Sequence, residues 1–139
     1  MYNSKNKSKM RKVSIWTAIL VAMTFMCVSC NDSSSPEGIV KSILSAYVKE
    51  DYKKAAAIEC KINPDLEKYS DDIESLARGR EFFLSDNKIT SYKIISVSKK
   101  NEELVRITVE IYYKDGESKE KICDFGLVAG KWITFCSFY

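Results

Sequence analysis

The sequence contains no histidine, and it has only five glycines and two prolines among 139 residues. Histidine is the commonest general base and the commonest metal ligand, so its absence argues against most acid–base catalysis and most metal sites. The glycines are scattered, and none belongs to a glycine-rich loop that could cradle a phosphate group. No loop carries the row of carboxylates that binds calcium. We therefore predict a protein that is not an enzyme, with no catalytic residues, no cofactor and no metal site.

Basic residues are concentrated at the start of the chain. Residues 1–29 carry five cations and no acidic residue, whereas residues 30–139 carry 17 cations against 19 acids, a formal charge of −2. The formal charge of +3 for the whole chain therefore does not describe its main part. A nucleic-acid partner is not expected, because phosphate binding requires a clustered excess of cations.

The first 30 residues have the three-part layout of a secretory signal. A basic end is followed by an uncharged run of 16 residues, 13–28, and then by the small residue Ser29. That run is shorter than the roughly 20 residues of a membrane-spanning helix. The segment Cys27-Val28-Ser29-Cys30 resembles a bacterial lipobox, although Cys27 stands where that family usually has Leu. The resemblance implies that Cys30 is lipidated, and an uncleaved anchor or a plain signal peptide stays an alternative.

The lipobox resemblance implies a division of the chain. Residues 1–29 are a lipoprotein signal peptide, residues 30–35 are a lipidated polar tether, and residues 36–139 are a single domain. Two or three acyl chains anchor a protein stably to a bilayer. We expect the protein in the cell envelope, attached to the outer membrane through the lipid on Cys30, on its periplasmic face or at the cell surface.

Residues 36–84 show the spacing of amphipathic helices. The start Ser35-Pro36-Glu37 combines a capping residue, a first-turn proline and an acid near the positive helix end. The pattern predicts helices over residues 36–49, 52–60 and about 64–84, the last one broken or bent near Gly79. The apolar stripe of this third helix consists of Leu66, Tyr69, Ile73, Leu76, Arg80 and Phe83.

After residue 87 the pattern changes to the alternation of β-strands. It predicts strands over residues 89–98, 104–113, 119–128 and 131–138. Short turns join these strands, so they form an antiparallel meander. The predicted fold class is α+β, with N-terminal helices packed on one face of a curved four-stranded antiparallel sheet.

The last two turns predict the strand register. A two-residue turn at Ala129-Gly130 sets Cys123 opposite Cys136, and a three-residue loop with Gly116 in the left-handed conformation sets Ile107 opposite Cys123. The two cysteines are then close enough for a cross-strand disulfide, which an oxidising compartment favours. Two free thiols, or a bond from Cys60 to either cysteine, stay alternatives.

Three segments carry a resemblance to a known superfamily: Glu50-Asp51-Tyr52, Tyr113-Lys114-Asp115-Gly116 and Gly130-Lys131-Trp132. With the order of helices and strands, they resemble the nuclear transport factor 2-like, or cystatin-like, superfamily. They are most similar to Bacteroidota lipoprotein domains of unknown function that are sometimes labelled lumazine-binding-like. The resemblance implies a cone-like fold over residues 36–138. Its members include enzymes, binding modules and dimerisation domains, so the fold does not decide the function.

The resemblance also implies two candidate surfaces. In the superfamily the inner sheet face and the helices can enclose a ligand pocket, although aromatic residues at core spacing usually form a filled core. The outer sheet face often forms a dimer, and apolar residues alternate onto it here. The pocket candidates are Trp132, Phe125, Leu127, Phe138, Tyr47 and Tyr113. The dimer-face candidates are Ile122, Val128, Ile133 and Phe135.

Acidic residues do not form a catalytic pair in the predicted interior. Asp124 and Glu110 alternate off the apolar face, and Asp71 and Asp72 lie among charges on a helix. We therefore expect a non-catalytic binding or interaction module, with a homodimer or an envelope protein as its partner. The alternatives are a protein that binds a small apolar ligand and a pocket enzyme of the isomerase or hydrolase type.

Overall fold

Three α-helices come first in residues 34–139, the part of the chain that the computed structural model describes. They are α1 (Pro36–Val48), α2 (Tyr52–Ile62) and α3 (Ile73–Leu84), and a 3₁₀ helix (Pro64–Tyr69) precedes α3. The first two lie close to the predicted ranges. The predicted signal peptide, Cys30 and residues 31–33 of the predicted tether lie outside the described residues.

Side-chain caps explain where the first two helices begin. The Ser35 hydroxyl accepts a hydrogen bond from the Gly38 amide at 3.1 Å. The Asp51 carboxylate accepts one from the Lys54 amide at 3.1 Å. Each cap satisfies a backbone donor that has no partner within the helix. Between the helices Glu50 adopts a left-handed φ of 58°, which turns the chain back on itself.

The predicted single helix over residues 64–84 is wrong. The chain forms the short 3₁₀ helix first and then starts again at Asp72, whose carboxylate accepts a hydrogen bond from the Ser75 amide at 3.2 Å. An Asp side chain competes with the helical hydrogen bonds before it and caps those after it. The break therefore lies at residues 70–72, and α3 continues through Gly79.

Four antiparallel strands follow in the order β1-β2-β3-β4. They are β1 (Ile89–Asn101), β2 (Leu104–Tyr113), β3 (Ser118–Val128) and β4 (Lys131–Ile133). The β1–β2 register shifts at three places, and such bulges bend and twist a sheet. The predicted fold class, helices followed by a four-stranded antiparallel meander, is confirmed.

The predicted register is confirmed at both turns. Ile107 lies opposite Cys123, and Leu127 lies opposite Trp132. Gly116 has a φ of 89°, as the three-residue loop requires. Ala129 and Gly130 both have positive φ, as a two-residue hairpin turn of type I′ requires.

The predicted fourth strand is too long, because β4 ends at Ile133. The next amide, that of Thr134, donates at 2.9 Å to the carbonyl of Ile62 at the end of α2 and not to β3. The hydroxyl of Thr134 donates at 2.8 Å to the Asp124 carbonyl of β3. Residues 134–139 therefore leave the ladder and run between β3 and the helices; we call them the terminal segment.

The core lies between α1, α2 and the inner face of the sheet. Helix α1 packs against α2 and β1, and α3 packs against α2. Alternate residues of β2 from Val105 to Tyr113 are buried, as their period predicts. The terminal segment adds Phe138, which is fully buried although it lies on no strand.

Candidate functional site

The predicted pocket residues lie mostly in a packed interior. Four of them belong to the buried core cluster, and the other two are half-buried. The buried four are Tyr47, Tyr113, Phe125 and Phe138, and the half-buried two are Leu127 and Trp132. Side chains thus occupy the space between the helices and the inner sheet face at these positions.

A buried polar cluster that the sequence analysis missed joins α1, α2, α3 and the terminal segment. One oxygen of Glu59 accepts a hydrogen bond from the Tyr47 hydroxyl at 2.6 Å. The other accepts from Nε and Nη2 of Arg80 at 3.1 and 2.9 Å. Nη1 of Arg80 donates to the Tyr139 hydroxyl at 2.7 Å, and its guanidinium carbon lies 4.0 Å from the Tyr139 ring centroid. We call these four residues the Glu59 cluster.

Burial governs the electrostatics of the Glu59 cluster. Glu59 and Arg80 are only 3% and 7% exposed. Burial, reinforced by the negative charge of Glu59, raises the pKa of Tyr47 well above its ordinary value. Burial is the largest single influence on the pKa of Arg80 and lowers it, but the charge of Glu59, the neighbouring tyrosines and the hydrogen bonds to Glu59 together raise it by more. The guanidinium stays protonated, and the phenol stays neutral at every physiological pH.

The charged groups of the Glu59 cluster are hydrogen-bonded within the cluster. Both Glu59 oxygens and all three guanidinium nitrogens of Arg80 are engaged. A general base needs a lone pair that faces a substrate, and this carboxylate is only 3% exposed. The sequence held one signal of the cluster: Arg80 falls on the apolar stripe of its helix, where a charged residue requires a buried partner.

A disulfide joins Cys123 to Cys136, with a Cα–Cα distance of 5.3 Å. This is the pair that the register favours, and Cys60 is a free, buried thiol. Burial, followed by the charge of Glu59, raises the pKa of Cys60. A thiol with a raised pKa is a poor nucleophile at neutral pH.

A hollow of about 280 Å³ opens at the end of α2, beside the 3₁₀ helix and β4. Its lining residues include apolar residues and Cys60 together with two lysines and a glutamate. The lining residues are Cys60, Lys61, Ile62, Asn63, Pro64, Glu67, Ser70, Lys131 and Ile133. None of the six predicted pocket residues lines this hollow.

Three of the four predicted dimer positions are exposed apolar side chains, two on the outer face of β3 and one, Phe135, on the terminal segment. Ile122, Val128 and Phe135 are 58%, 56% and 65% exposed, and Ile133 is half-buried. Between Ile122 and Val128 along β3 lies Asp124, which accepts hydrogen bonds from Nε and Nη2 of Arg106 at 2.7 and 2.9 Å. This bond lowers the pKa of Asp124. We call these residues the outer patch.

The other acids that the sequence analysis considered serve local structure. Glu110 accepts hydrogen bonds from the hydroxyls of Tyr112 and Ser118 at 2.8 and 2.9 Å. These two bonds lower the pKa of Glu110. Asp72 caps α3, and Asp71 is exposed. Within residues 34–139 no cluster of Cys, Asp and Glu has the grouping that holds a metal ion.

The helical side carries a second apolar surface, which contradicts the predicted stripe. Phe83 was expected on the buried face of its helix, but it is 69% exposed, and its neighbour Phe82 is 76% exposed. Their ring centroids lie 6.0 Å apart. The stripe fails here because Leu84, which is 5% exposed, and not Phe83 is the residue that the last turn of α3 buries. No helix of the described part is both long and apolar enough to cross a membrane.

Comparisons with solved structures concern the fold. A SEC-C motif containing protein from Rhodopseudomonas palustris has a TM-score of 0.50 and 14% identity, covering 75% of this chain and 77% of that one. A Campylobacter jejuni protein that bears the name NTF2-like transpeptidase has a TM-score of 0.49 and 14% identity, over 72% of this chain and 96% of that one. A DUF4783 family protein from Bacteroides ovatus has a TM-score of 0.44 and 10% identity, over 67% and 86%.

No protein-family model and no curated protein matches this sequence. At identities of 10–14% the structural likeness concerns the fold alone. The chain is an α+β domain in which helices precede and cover a four-stranded antiparallel sheet.

Proposed function

We propose that this chain is a non-catalytic interaction module of the nuclear transport factor 2-like type, held at a cell-envelope membrane by lipid on Cys30. The observation that carries the proposal is a contrast between interior and surface. Among residues 34–139 every buried side-chain nitrogen and oxygen has a hydrogen-bond partner. Apolar side chains of the outer patch, in contrast, lie in water, which is typical of a protein-binding surface.

A second copy of the chain fits the outer patch. The patch places Arg106 and Asp124, one charge of each sign, amid Ile122, Val128 and Phe135. A twofold axis brings identical surfaces together, so a patch with adjacent opposite charges is complementary to itself. Arg106 of one copy would then face Asp124 of the other, and the apolar residues would bury each other.

The oligomeric state of residues 31–139 tests this partner. We expect a dimer by sedimentation velocity, and we expect Phe135→Lys to shift it to monomer while the far-UV circular dichroism stays unchanged. Phe82→Lys is the matched control, since Phe82 is also strongly exposed, at 76% against 65% for Phe135, but lies on the helical side. A wild-type protein that stays monomeric at high concentration would end the dimer proposal.

Lipid attachment is tested on the full chain in a bacterial host. Metabolic labelling with an alkyne-modified palmitate should mark the wild-type protein and leave Cys30→Ser unmarked. Cys27→Leu, which brings the lipobox closer to its usual form, should stay labelled. Equal labelling of wild type and Cys30→Ser would show that the lipid, if present, is elsewhere.

A small apolar ligand is the second candidate, favoured by the hollow at the end of α2. Its volume of about 280 Å³ lies near the lower limit of ordinary ligand sites. A binding compound should raise the melting temperature of the wild-type protein. Ser70→Trp, which fills the hollow, should abolish that rise, whereas Ser137→Trp, outside the lining, should leave it intact.

A further inference from the structure

Phe82 and Phe83 are the two most exposed large apolar side chains in residues 34–139. They are consecutive, and they lie in the last turn of α3. Burying one aromatic ring removes a large apolar area from water, so two adjacent exposed rings are a costly surface to leave uncovered. We call them the aromatic pair.

One ring of the aromatic pair contacts a side chain that is itself held by hydrogen bonds. The Phe83 ring lies 6.2 Å from the Tyr139 ring, and Tyr139 in turn is stacked on and hydrogen-bonded to Arg80. Arg80 is fixed by its bonds to Glu59. Phe83 therefore lies against a side chain that hydrogen bonds hold in place, and Phe82 in turn contacts Phe83.

The charged residues next to the aromatic pair do not favour binding to an anionic membrane surface. Glu81 and Asp86 flank the pair, and Arg78 lies one turn before it; all three are exposed. These residues sum to one negative charge. A contact made here gains its stability from apolar burial, and it does not require anionic lipids.

The length of the tether limits how far the domain can lie from a membrane. Six residue steps separate Cys30 from Pro36, where α1 begins. Fully extended, they span at most about 21 Å. That is less than the diameter of a small domain, about 30 Å. A domain anchored at Cys30 therefore rests on or beside the bilayer, and one of its surfaces faces the lipid.

We propose that the aromatic pair is the surface that contacts the bilayer, with Phe82 and Phe83 inserted among the lipid headgroups and upper acyl chains. This inference rests on the proposed lipid anchor at Cys30. The outer patch belongs to the opposite side of the sheet from the helices, so it faces away from the membrane and stays free for a second copy.

Trp substitution and lipid quenching test the orientation. The full chain is expressed in a bacterium, and the lipidated protein is placed in phosphatidylethanolamine vesicles that contain phosphatidylcholine brominated near the top of the acyl chains. Phe82→Trp should lose roughly half of its added emission, because interfacial side chains reach about 5–10 Å into the headgroup and acyl boundary. Phe135→Trp, the matched control of similar exposure on the outer patch, should lose almost none. Phe83→Trp repeats the measurement at the second ring.

The outcomes distinguish a failure of the proposed orientation from a failure of the proposed lipid anchor. If the protein is lipidated and floats with the vesicles, but neither ring of the pair is quenched more than Phe135→Trp, the orientation is wrong and the anchor stands. Quenching of Phe135→Trp alone would place the outer patch on the membrane. If intact mass and flotation show no lipid, the anchor fails, and this contact loses its basis with it. Added phosphatidylglycerol should not increase the quenching; a strong increase would contradict an apolar contact.

Discussion

Two arginine–carboxylate pairs in this molecule have nearly the same bond lengths and different surroundings. Arg80 donates two hydrogen bonds to Glu59 in the interior, and Arg106 donates two to Asp124 on the outer sheet face. The first pair is almost fully buried, whereas the side chains of the second are 46% and 49% exposed. The contribution of an ion pair to the free energy of folding therefore depends on the desolvation of its two members and cannot be judged from its bond lengths.

Removal of one buried partner should have the largest effect. Arg80→Met leaves the Glu59 carboxylate buried and uncompensated, so we expect a loss of about 3–5 kcal/mol in the free energy of unfolding. Urea denaturation followed by circular dichroism measures it. The double variant Glu59→Met, Arg80→Met should be more stable than Arg80→Met alone, because no charge is left buried. A double variant as unstable as the single one would show that packing, and not charge, dominates.

Reduction of the disulfide should cause the second largest loss of stability. The bond closes a loop with a sequence separation of 13 residues and holds the terminal segment, which supplies Tyr139 to the Glu59 cluster. A loop of this length contributes about 3 kcal/mol in the chain-entropy account. Dithiothreitol should lower the urea midpoint of the wild type and leave that of Cys123→Ser, Cys136→Ser unchanged. An unchanged wild-type midpoint, with the reduction verified by thiol alkylation, would contradict this role.

Tyr47→Phe should have a smaller effect that depends on pH. It removes one hydrogen bond to the Glu59 carboxylate, at a cost of about 1.5–3 kcal/mol at neutral pH. Because the pKa of Tyr47 is raised in the folded state, its stabilising contribution is complete below the unfolded pKa and falls as the pH rises beyond about 10. Each pH unit above that value costs about 1.4 kcal/mol per such group. Unfolding measured between neutral and strongly alkaline pH should therefore show a shallower loss in the variant; equal slopes would mean that another tyrosine dominates.

Arg106→Ala should have the smallest effect. Asp124 stays hydrated when its partner is removed, and exposed pairs are weakened further by salt. We expect a urea midpoint that is indistinguishable from that of the wild type at physiological ionic strength. A loss as large as that of Arg80→Met would remove the contrast on which the comparison rests.

The features that could be predicted from the sequence are those that depend on local residue patterns and turn chemistry. Gly116 and the Ala129-Gly130 turn determined the register, and the register paired Cys123 with Cys136. Positions that depend on long-range packing were not predicted. Phe83 follows the helical period, yet the last turn of its helix buries Leu84 and leaves Phe83 exposed. Thr134 continues the strand pattern, yet its amide bonds to α2.

The candidate site was predictable only in part. The apolar outer patch follows from alternation along β3, once the register is known. The Glu59 cluster gathers four residues from separate segments, and no spacing in the sequence connects Tyr47, Glu59, Arg80 and Tyr139. Only the presence of Arg80 on an apolar stripe signals that such a cluster exists. Nothing in the sequence distinguishes the two residues of the aromatic pair from residues of the core.

Because β4 ends at Ile133, it covers only part of the edge of β3. A strand edge with free amides and carbonyls is a template for aggregation, and natural proteins cover or charge such edges. Here β4 covers only Gly126–Val128, and the terminal segment then shields β3 through Thr134 and the disulfide. The uncovered start of β3, Ser118–Lys121, is rich in alternating charges. This masking limits continuous strand pairing between copies at the β3–β4 edge, and β1 forms the other edge of the sheet.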